Sequence, residues 1–461
     1  MGIMSIVSSI SNFLWGWPIL IFMIVAAVLL TIRTRAVQIV HFNYMLTSTL
    51  GLIGKKSPGE GMLHPFQAAM ASISGTIGIG NIAGVGMAVG IGGMGAVFWM
   101  WVVALFSMIT KYSEVCLGVK YREKDEKTGE YMSGPMYYIT NGIGKNWKWL
   151  ALTYAVLFSF CYCSYTSVQS NTIARAMSNF LNIKPLMTGI ALAVLASLVV
   201  FGGLKGLARV ADKLVPFMTI LYFIFSLFII VTHIGSLPSV LASIVGNAFK
   251  GSAPLGGFVG STVILSMRQG FARGVFSNDG GLGLGAVMHG TAVTTHPAKE
   301  GMWGIFEVFL DTIIVCTCTA LVICFTGSLD SGLKGLDLTT RAFDIGLGNA
   351  RIGTIVVSIS VLLFGYTTIL CDIVLCELGM RYVFKNSNPK IVANVVRVIC
   401  LCVVVYGSLG GLSETWDLAD MFMAMLIFLN LPILIYKSKE VGEITLDYFG
   451  ESKKYLDKKY N

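Results

Sequence analysis

The sequence predicts an all-α polytopic membrane protein with a single membrane domain over residues 1–461. Two observations predict this fold class. Hydrophobic residues make up 55% of the chain and charged residues only 12%, against about 25% charged residues in soluble domains. Eleven long apolar segments also follow one another with short connections, and a helix needs about 20 residues to cross a bilayer. The chain therefore has no room for a sizeable soluble domain.

The predicted transmembrane helices number eleven. They cover residues 14–32, 65–90, 95–119, 150–180, 185–201, 214–234, 254–290, 301–325, 353–382, 391–406 and 416–436. Two further stretches, 237–249 and 333–347, are amphipathic and predict helices that lie on the membrane surface. The mixed-charge tail, 437–461, is predicted to be cytoplasmic.

Positive charge predicts the orientation of these spans. If they alternate across the bilayer, loops on one side hold 23 Lys and Arg residues and loops on the other side hold 5. Because cytoplasmic loops are enriched in Lys and Arg, the N-terminus is predicted outside and the C-terminus inside the cell membrane. The same loops explain the net charge of +9, so no nucleic-acid partner is predicted. The ten cysteines form no C-x-x-C pair and no Cys/His cluster, which argues against a metal centre and a disulfide framework.

The spans also predict an internal repeat. Once the N-terminal helix at 14–32 is set aside, five spans fall in residues 65–234 and five in residues 254–436. Since five is odd, the two units enter the membrane from opposite sides, as in an inverted repeat.

The first span of each unit is interrupted by glycine. Residues 74–84 read SGTIGIGNIAG and residues 270–283 read GFARGVFSNDGGLG. Each glycine lowers helix stability by about 1 kcal/mol relative to alanine, so both helices are expected to unwind there. Unwound backbone at membrane depth lines a cavity, where free N–H groups attract an anion and free C=O groups coordinate a cation. An amino acid with a co-transported cation fits both sets of groups, and close helix packing through small residues is the alternative.

Six ordered motifs link the chain to a known family over nearly its whole length. They are GTIGIGNIAGV at 75–85, GAVFWMW at 95–101, KYSE at 111–114, GPMYYI at 134–139, QSN at 169–171 and ARGVFSN at 272–278. These motifs resemble those of the alanine/glycine:cation symporters, also called amino acid carrier proteins. The resemblance implies a leucine-transporter-type fold, with a 5+5 inverted repeat plus one extra helix, here the N-terminal one. It further implies symport, not enzyme catalysis, of a small neutral amino acid, chiefly alanine or glycine, with sodium or a proton as coupling ion and no other cofactor or protein partner.

The resemblance also implies binding residues, which are carried over position by position. The candidates for substrate binding are Gly75, Thr76, Gly78, Asn81, Gln169, Gly270, Phe271, Ser277, Asn278 and Asp372. The candidates for sodium are Thr76, Asn81, Thr367 and Thr368. The last two match a hydroxyl pair in the family's eighth core helix and favour sodium over a proton. For the amides of Asn81 and Gln169, the alternative is that they only hold helices together by hydrogen bonds.

Asp372 departs from the family pattern, which has a tryptophan at this position on the expected pocket wall. Its carboxylate is a candidate for the amine of a substrate, for a cation site or for a coupling proton. The alternative is a structural pair with a neighbouring arginine. A second departure is Asp279, where the family has glutamate. Both lie in helices expected to line the pocket, so the resemblance predicts the transport class more firmly than the identity of the substrate.

Other ionisable residues at membrane depth are expected to form pairs, because isolated charges are costly there. Lys111 and Glu114 are three residues apart and are predicted to pair with each other. Arg268, Arg273 and Asp279 flank the second interruption and are predicted to make structural or gate contacts.

Two alternative functions stay open. One is a transporter of the same fold with another solute or with proton coupling, and the other is a transport-dead sensor. Solute accumulation would distinguish a transporter from a sensor.

Overall fold

Helices make up nearly all of the chain that the computed structural model describes, which is residues 3–51, 59–250 and 262–450. The first twelve helices are α1 (Ile3–Leu14), α2 (Trp17–Arg33), α3 (Val37–Val40), α4 (Phe42–Leu50), α5 (Pro65–Thr76), α6 (Ala83–Gly92), α7 (Gly95–Lys120), α8 (Pro135–Tyr137), α9 (Lys148–Leu181), α10 (Pro185–Val200), α11 (Gly203–Thr232) and α12 (Leu237–Lys250). The others are α13 (Val263–Asn278), α14 (Leu284–His289), α15 (Pro297–Val308), α16 (Thr317–Phe325), α17 (Gly335–Gly346), α18 (Ala350–Val383), α19 (Pro389–Leu409), α20 (Leu412–Tyr436) and α21 (Ser438–Phe449).

Eight helical stretches in the described ranges are long and apolar enough to cross a membrane. They are Val7–Arg33, Gly95–Lys120, Lys145–Leu181, Gly203–Thr232, Pro297–Phe325, Ala350–Val383, Pro389–Leu409 and Thr415–Tyr436. A ninth is the bent pair of α5 with the segment Ile79–Gly92. Helices also occupy the two other predicted spans, as the 16-residue α10 and as α13 with α14. The predicted start of the second repeat at Pro254 lies outside the described residues, and the count of eleven crossings stays a prediction.

Large apolar side chains on several of these helices point away from the protein interior. Leu198 on α10, Ile220 on α11 and Ile391 on α19 are 77%, 58% and 61% exposed. Apolar surface of this extent is unusual on soluble proteins, and it matches helices that face lipid. The two amphipathic stretches are also helical, as α12 and α17.

Five helices begin with proline at their first position: α5, α8, α10, α15 and α19. Proline suits this position because its missing N–H has no partner within the helix in any case. In α5 and α15 the preceding residue is histidine, and its ring accepts a hydrogen bond from the backbone N–H two residues on. His64 bonds to Phe66 at 3.3 Å and His296 bonds to Ala298 at 3.1 Å.

Glycines allow two pairs of helices to pack closely. Where α13 crosses α7, a Cβ on Gly270 would lie 2.5 Å from a backbone oxygen and one on Gly274 would lie 2.4 Å from a valine methyl group. Where α18 crosses α9, a Cβ on Gly365 would lie 2.7 Å from an isoleucine side chain and one on Gly379 would lie 2.3 Å from a serine hydroxyl. Real Cβ atoms essentially never show such distances, so a larger residue at these positions would force the neighbouring atoms to shift.

A short antiparallel hairpin, β1 (Glu123–Lys124) and β2 (Tyr131–Met132), is the exception to the all-helical expectation in the described chain. It is held to the end of α18 by Arg381, which donates to Glu130 at 2.7 Å and to Asp125 at 3.1 Å. Burial raises the pKa of Asp125, but hydrogen bonds and the Arg381 charge outweigh it, and the net pKa lies below the ordinary value. The hairpin is therefore fixed by ion pairs, not by a long strand ladder.

The start of the tail is also ordered. Helix α21 packs against α7, where the Tyr112 hydroxyl lies 3.0 Å from the hydroxyl of Thr445. Tyr448 lies 2.6 Å from the hydroxyl of Tyr44 in α4. Residues 451–461 of the predicted tail lie outside the described part of the chain.

Candidate functional site

The first glycine-rich segment is a break between two helices, as predicted. Helix α5 ends at Thr76, and Ile77 and Gly78 are extended. A single 3-10 turn, Ile79–Asn81, leads into α6, with a bend of 55° between the two halves. The freed backbone N–H groups find side-chain acceptors. Gly78 donates to the amide oxygen of Asn81 at 2.9 Å, and Ile79 donates to that of Gln169 at 3.3 Å.

The second glycine-rich segment is also a break. Helix α13 ends at Asn278, and Asp279 adopts a left-handed conformation with φ of 54°. This conformation is unusual for a residue other than glycine. Residues 280–283 then connect to α14, and the side chain of Asn278 accepts from the N–H of Gly280 at 2.9 Å. Both predicted interruptions are therefore present.

The two breaks meet at the carboxylate of Asp311. Asn81 from the first break donates to it at 2.6 Å, Ser277 from the second break donates at 2.8 Å, and Thr312 donates at 2.7 Å. All four residues are buried. Asp311 lies in a π-helical stretch, Phe309–Cys316, and such stretches are frequent at functional sites. One carboxylate therefore links both broken helices.

Asp311 is one of the ionisable residues at membrane depth, and it was not among the site residues predicted from the sequence. Its signal was an acidic residue within an apolar span. Its distance from Asn81, 230 residues along the chain, hid the contact.

The two predicted sodium-site threonines of α18 face different neighbours. Thr368 lies against the first break, where its hydroxyl is 2.5 Å from the position that a Cβ on Gly78 would occupy. Thr367 instead contacts the sulfur of Met218 in α11 at 3.5 Å. Thr76 donates to the carbonyl of Ile73 at 3.2 Å. The structure thus brings Thr368, but not Thr367, to the break.

Gly270 and Phe271 lie in the packed interface of α13 with α7. Gly270 abuts the α7 backbone. The ring centroid of Phe271 lies 6.2 Å from that of Trp99 and 6.2 Å from that of Phe106. Gly75 of the first break abuts Cys371 of α18 in the same manner. For these three predicted site residues, the observed contacts are packing contacts.

Asp372 is fully buried, and neither of its carboxylate oxygens has a hydrogen-bond partner among the described residues. The alternative of an arginine pair does not hold there. Arg397, the basic residue that packs on α18 nearby, pairs with Glu377 at 2.8 Å. Asp279 also has one oxygen without a partner, while its other oxygen accepts from Tyr162 at 3.3 Å. Two acidic side chains thus lie in the interior with unused acceptors.

Lys111 does not pair with Glu114 as the sequence predicted. Its ammonium lies 2.9 Å from Glu307 of α15 and donates to the carbonyl of Asn278 at 3.0 Å. Glu114 accepts from the N–H of Gly283 at 3.0 Å instead. The local i, i+3 pair of Lys111 and Glu114 does not form, because both side chains have partners elsewhere, including one at each end of the second break.

Arg273 and Arg268 make the structural contacts expected of them. Arg273 forms a buried ion pair with Asp420 of α20, and its guanidinium lies 4.6 Å from the ring centroid of Trp416. Arg268 donates to Asn12 of α1. These contacts fix α13 against helices outside the two breaks.

The fold and the two breaks together define a class of protein: a polytopic helical membrane protein in which two broken helices meet at a buried carboxylate. The comparison with known proteins then gives the family. The model of the sodium:alanine symporter family matches residues 1–461, and the chain belongs to that family.

Relatives and a solved structure agree with this assignment. An uncharacterized transporter of Haemophilus influenzae is 40% identical over 98% of each chain. The sodium/alanine symporter AgcS of Methanococcus maripaludis is 33% identical over 95% of each chain. Among solved structures, MhsT in complex with L-phenylalanine matches 84% of this chain and 99% of its own, with a TM-score of 0.57 and 16% identity. The last similarity supports the fold alone.

Proposed function

We propose that this chain is a secondary active symporter that couples uptake of a small amino acid to an inward sodium gradient by alternating access. Membership of the sodium:alanine symporter family supports the transport class. The observation that carries the proposal is the Asp311 carboxylate, which accepts hydrogen bonds from both broken helices at once. An ion bound there contacts both halves of the protein and stabilises one arrangement of them.

The coupling ion is assigned to the oxygen atoms around Asp311. The Asp311 carboxylate lies beside the hydroxyl oxygens of Ser277 and Thr312, and all three residues are buried. The amide NH2 of Asn81 also donates to this carboxylate. Oxygen ligands of this kind suit hard cations, and broken helices in transporters place ion sites at such positions. Thr368, beside Gly78, is a second candidate position for sodium.

The amino acid is assigned to the space between the two breaks. Backbone N–H groups at the start of a half-helix attract its carboxylate, and free carbonyls attract its amine. Gln169 already bonds to the N–H of Ile79 in the described structure, so this amide is proposed to position the break for the substrate. Alanine and glycine are the first candidates, because a relative carries the name of a sodium/alanine symporter.

The topology completes the proposal. The proposed arrangement is eleven spans, with two inverted five-helix repeats after one extra helix, and the site lies between two units that rock against each other. The distribution of Lys and Arg supports an N-terminus outside the cell and a C-terminus in the cytoplasm.

Uptake of labelled alanine and glycine into proteoliposomes tests the function. An inward sodium gradient and an inward proton gradient are imposed separately. Accumulation with sodium alone supports sodium symport, and accumulation with protons alone contradicts the choice of ion. Binding of amino acids without accumulation under either gradient contradicts transport and favours a sensor.

A further inference from the structure

The contacts around Asp372 leave its carboxyl group without a partner. The residue is 0% exposed, and neither oxygen accepts a hydrogen bond in the described chain. An isolated carboxylate in an apolar environment is strongly unfavourable. The group is therefore either protonated or paired with a positively charged group from outside the protein.

The groups around Asp372 come from three elements. Helix α9 contributes Cys163 and Tyr165, and the second break contributes Asp279, whose charge is close enough to act on that of Asp372. The Tyr165 hydroxyl is also buried and has no hydrogen-bond partner in the described chain. Its own helix contributes Cys371. We call Cys163, Tyr165, Asp279, Cys371 and Asp372 the Asp372 cluster. The charge of Lys111 acts on Asp279 and Cys371, but Lys111 pairs with Glu307 at 2.9 Å. No lysine or arginine of the described chain is among the groups that act on Asp372 itself.

The chemistry of this cluster suits an ammonium better than sodium. Helix α18 is continuous from Ala350 to Val383, so its backbone carbonyls around Asp372 are used within the helix. Thiols and aromatic rings supply the rest of the lining, and the rings of Tyr162 and Tyr165 lie 5.5 Å apart. Aromatic faces attract ammonium groups, and a carboxylate with a phenol oxygen accepts their N–H bonds.

The position of Asp372 determines how long the side chain of the ligand must be. Asp372 follows Thr368 by four residues, which is about 6 Å along a helix. Thr368 contacts the first break at Gly78, where the α-amino and α-carboxylate groups of a substrate are expected. An ammonium two or three carbons beyond the α-carbon spans that separation.

We propose that Asp372 binds the side-chain ammonium of the transported amino acid, so that the preferred substrates are short amino acids with a cationic side chain. This proposal rests on the proposed symport function and takes short cationic amino acids, in place of alanine and glycine, as the preferred substrates. Asp279 adds a second acidic group near the ammonium, and Tyr165 adds an acceptor oxygen.

The test compares two amino acids of nearly equal size. L-2,4-Diaminobutyrate ends in an ammonium where L-norvaline ends in a methyl group. Sodium-driven uptake of each is measured in proteoliposomes that contain the full chain. The wild type should take up diaminobutyrate with a half-saturation concentration about tenfold or more below that of norvaline. In Asp372→Asn the half-saturation concentrations of the two probes should become similar. Asp330→Asn, an exposed aspartate in a connection, is the matched control and should retain the preference.

A charge-retaining variant keeps the test informative if Asp372→Asn does not fold. Asp372→Glu lengthens the side chain by one methylene group, so the preference should move toward L-2,3-diaminopropionate. An unchanged preference in Asp372→Glu, or equal uptake of the two probes by the wild type, would overturn the proposal. Uptake that a proton gradient drives in the wild type but not in Asp372→Asn would also overturn it and make Asp372 a proton carrier.

Alanine uptake by the same vesicles distinguishes a failure of the cationic substrate class from a failure of the symport function. Sodium-driven accumulation of alanine without a preference for diaminobutyrate rejects the cationic substrate class and leaves the symport function standing. No sodium-driven accumulation of alanine, norvaline or diaminobutyrate rejects the symport function and the proposal with it.

Discussion

Replacing Asp311 with asparagine should weaken the binding of the coupling ion without removing the fold. The carboxylate accepts hydrogen bonds from Asn81 at 2.6 Å, Ser277 at 2.8 Å and Thr312 at 2.7 Å. An amide of the same size has one acceptor oxygen and a donor in place of the other. At least one of the three buried donors then lacks an acceptor, which costs about 1–3 kcal/mol.

The effect on sodium follows from the lost charge. Interactions with a charged partner contribute about 1.5–3 kcal/mol each, and about 1.4 kcal/mol corresponds to a tenfold change in an equilibrium constant. If sodium binds at Asp311, the sodium concentration at half-maximal uptake should rise by about ten- to a hundredfold in Asp311→Asn. The maximal rate for the substrate at saturating sodium should change less.

The assay is initial uptake as a function of sodium concentration in proteoliposomes. Asp344→Asn is the matched control, because Asp344 also accepts from a threonine hydroxyl, Thr354 at 3.2 Å, but lies in α17 away from the breaks. Its sodium dependence should equal that of the wild type. An Asp311→Asn protein that transports with unchanged sodium dependence would refute the assignment of the ion to Asp311.

Two further substitutions test the contacts that hold the breaks in place. Lys111→Met removes the ammonium partner of the buried Glu307, which keeps its contacts with Ser72 and His289. It should lower the free energy of unfolding by about 1–3 kcal/mol, measured by denaturation in detergent. Lys385→Met, which removes an ion pair whose lysine is 63% exposed, should cost less than about 1 kcal/mol, and equal losses would contradict the reasoning. Gly270→Ala places a methyl group 2.5 Å from a backbone oxygen of α7 and should lower the thermal midpoint. Gly84→Ala has no heavy atom within 4 Å of the added carbon and should not; a normal midpoint for Gly270→Ala would show that the helices separate easily.

The sequence predicted the helices and both breaks well because their signals are local. Long apolar segments give the spans, and clustered glycines around Gly78 and Gly281 give the interruptions. The hairpin at 123–132 escaped prediction because each strand has only two residues and ion pairs to Arg381 hold it. Its stability comes from side chains that the local pattern does not show.

The site was harder to predict than the fold because its contacts join distant parts of the chain. Asn81 was singled out because it stands beside a break, but its partner Asp311 is on another helix and in a π-helical stretch that no residue pattern marks. The Lys111–Glu114 pair was wrong for the same reason, since the local spacing favours a pair that partners on other helices displace. The sequence shows that aspartate stands at position 372 where the family has tryptophan. Only the structure shows that its carboxylate oxygens have no hydrogen-bond partner in the described chain.

The close glycine contacts between helices have a mechanical consequence. Helices α9 and α18 meet at Gly365 and Gly379 without room for a methyl group, and α13 meets α7 in the same manner at Gly270 and Gly274. Interlocked surfaces of this kind resist sliding, because any shift drives atoms into each other. We therefore expect each pair to move as one unit. Thr368 of α18 lies against Gly78, and Ser277 of α13 donates to Asp311, so the proposed ion and substrate sites connect the two pairs.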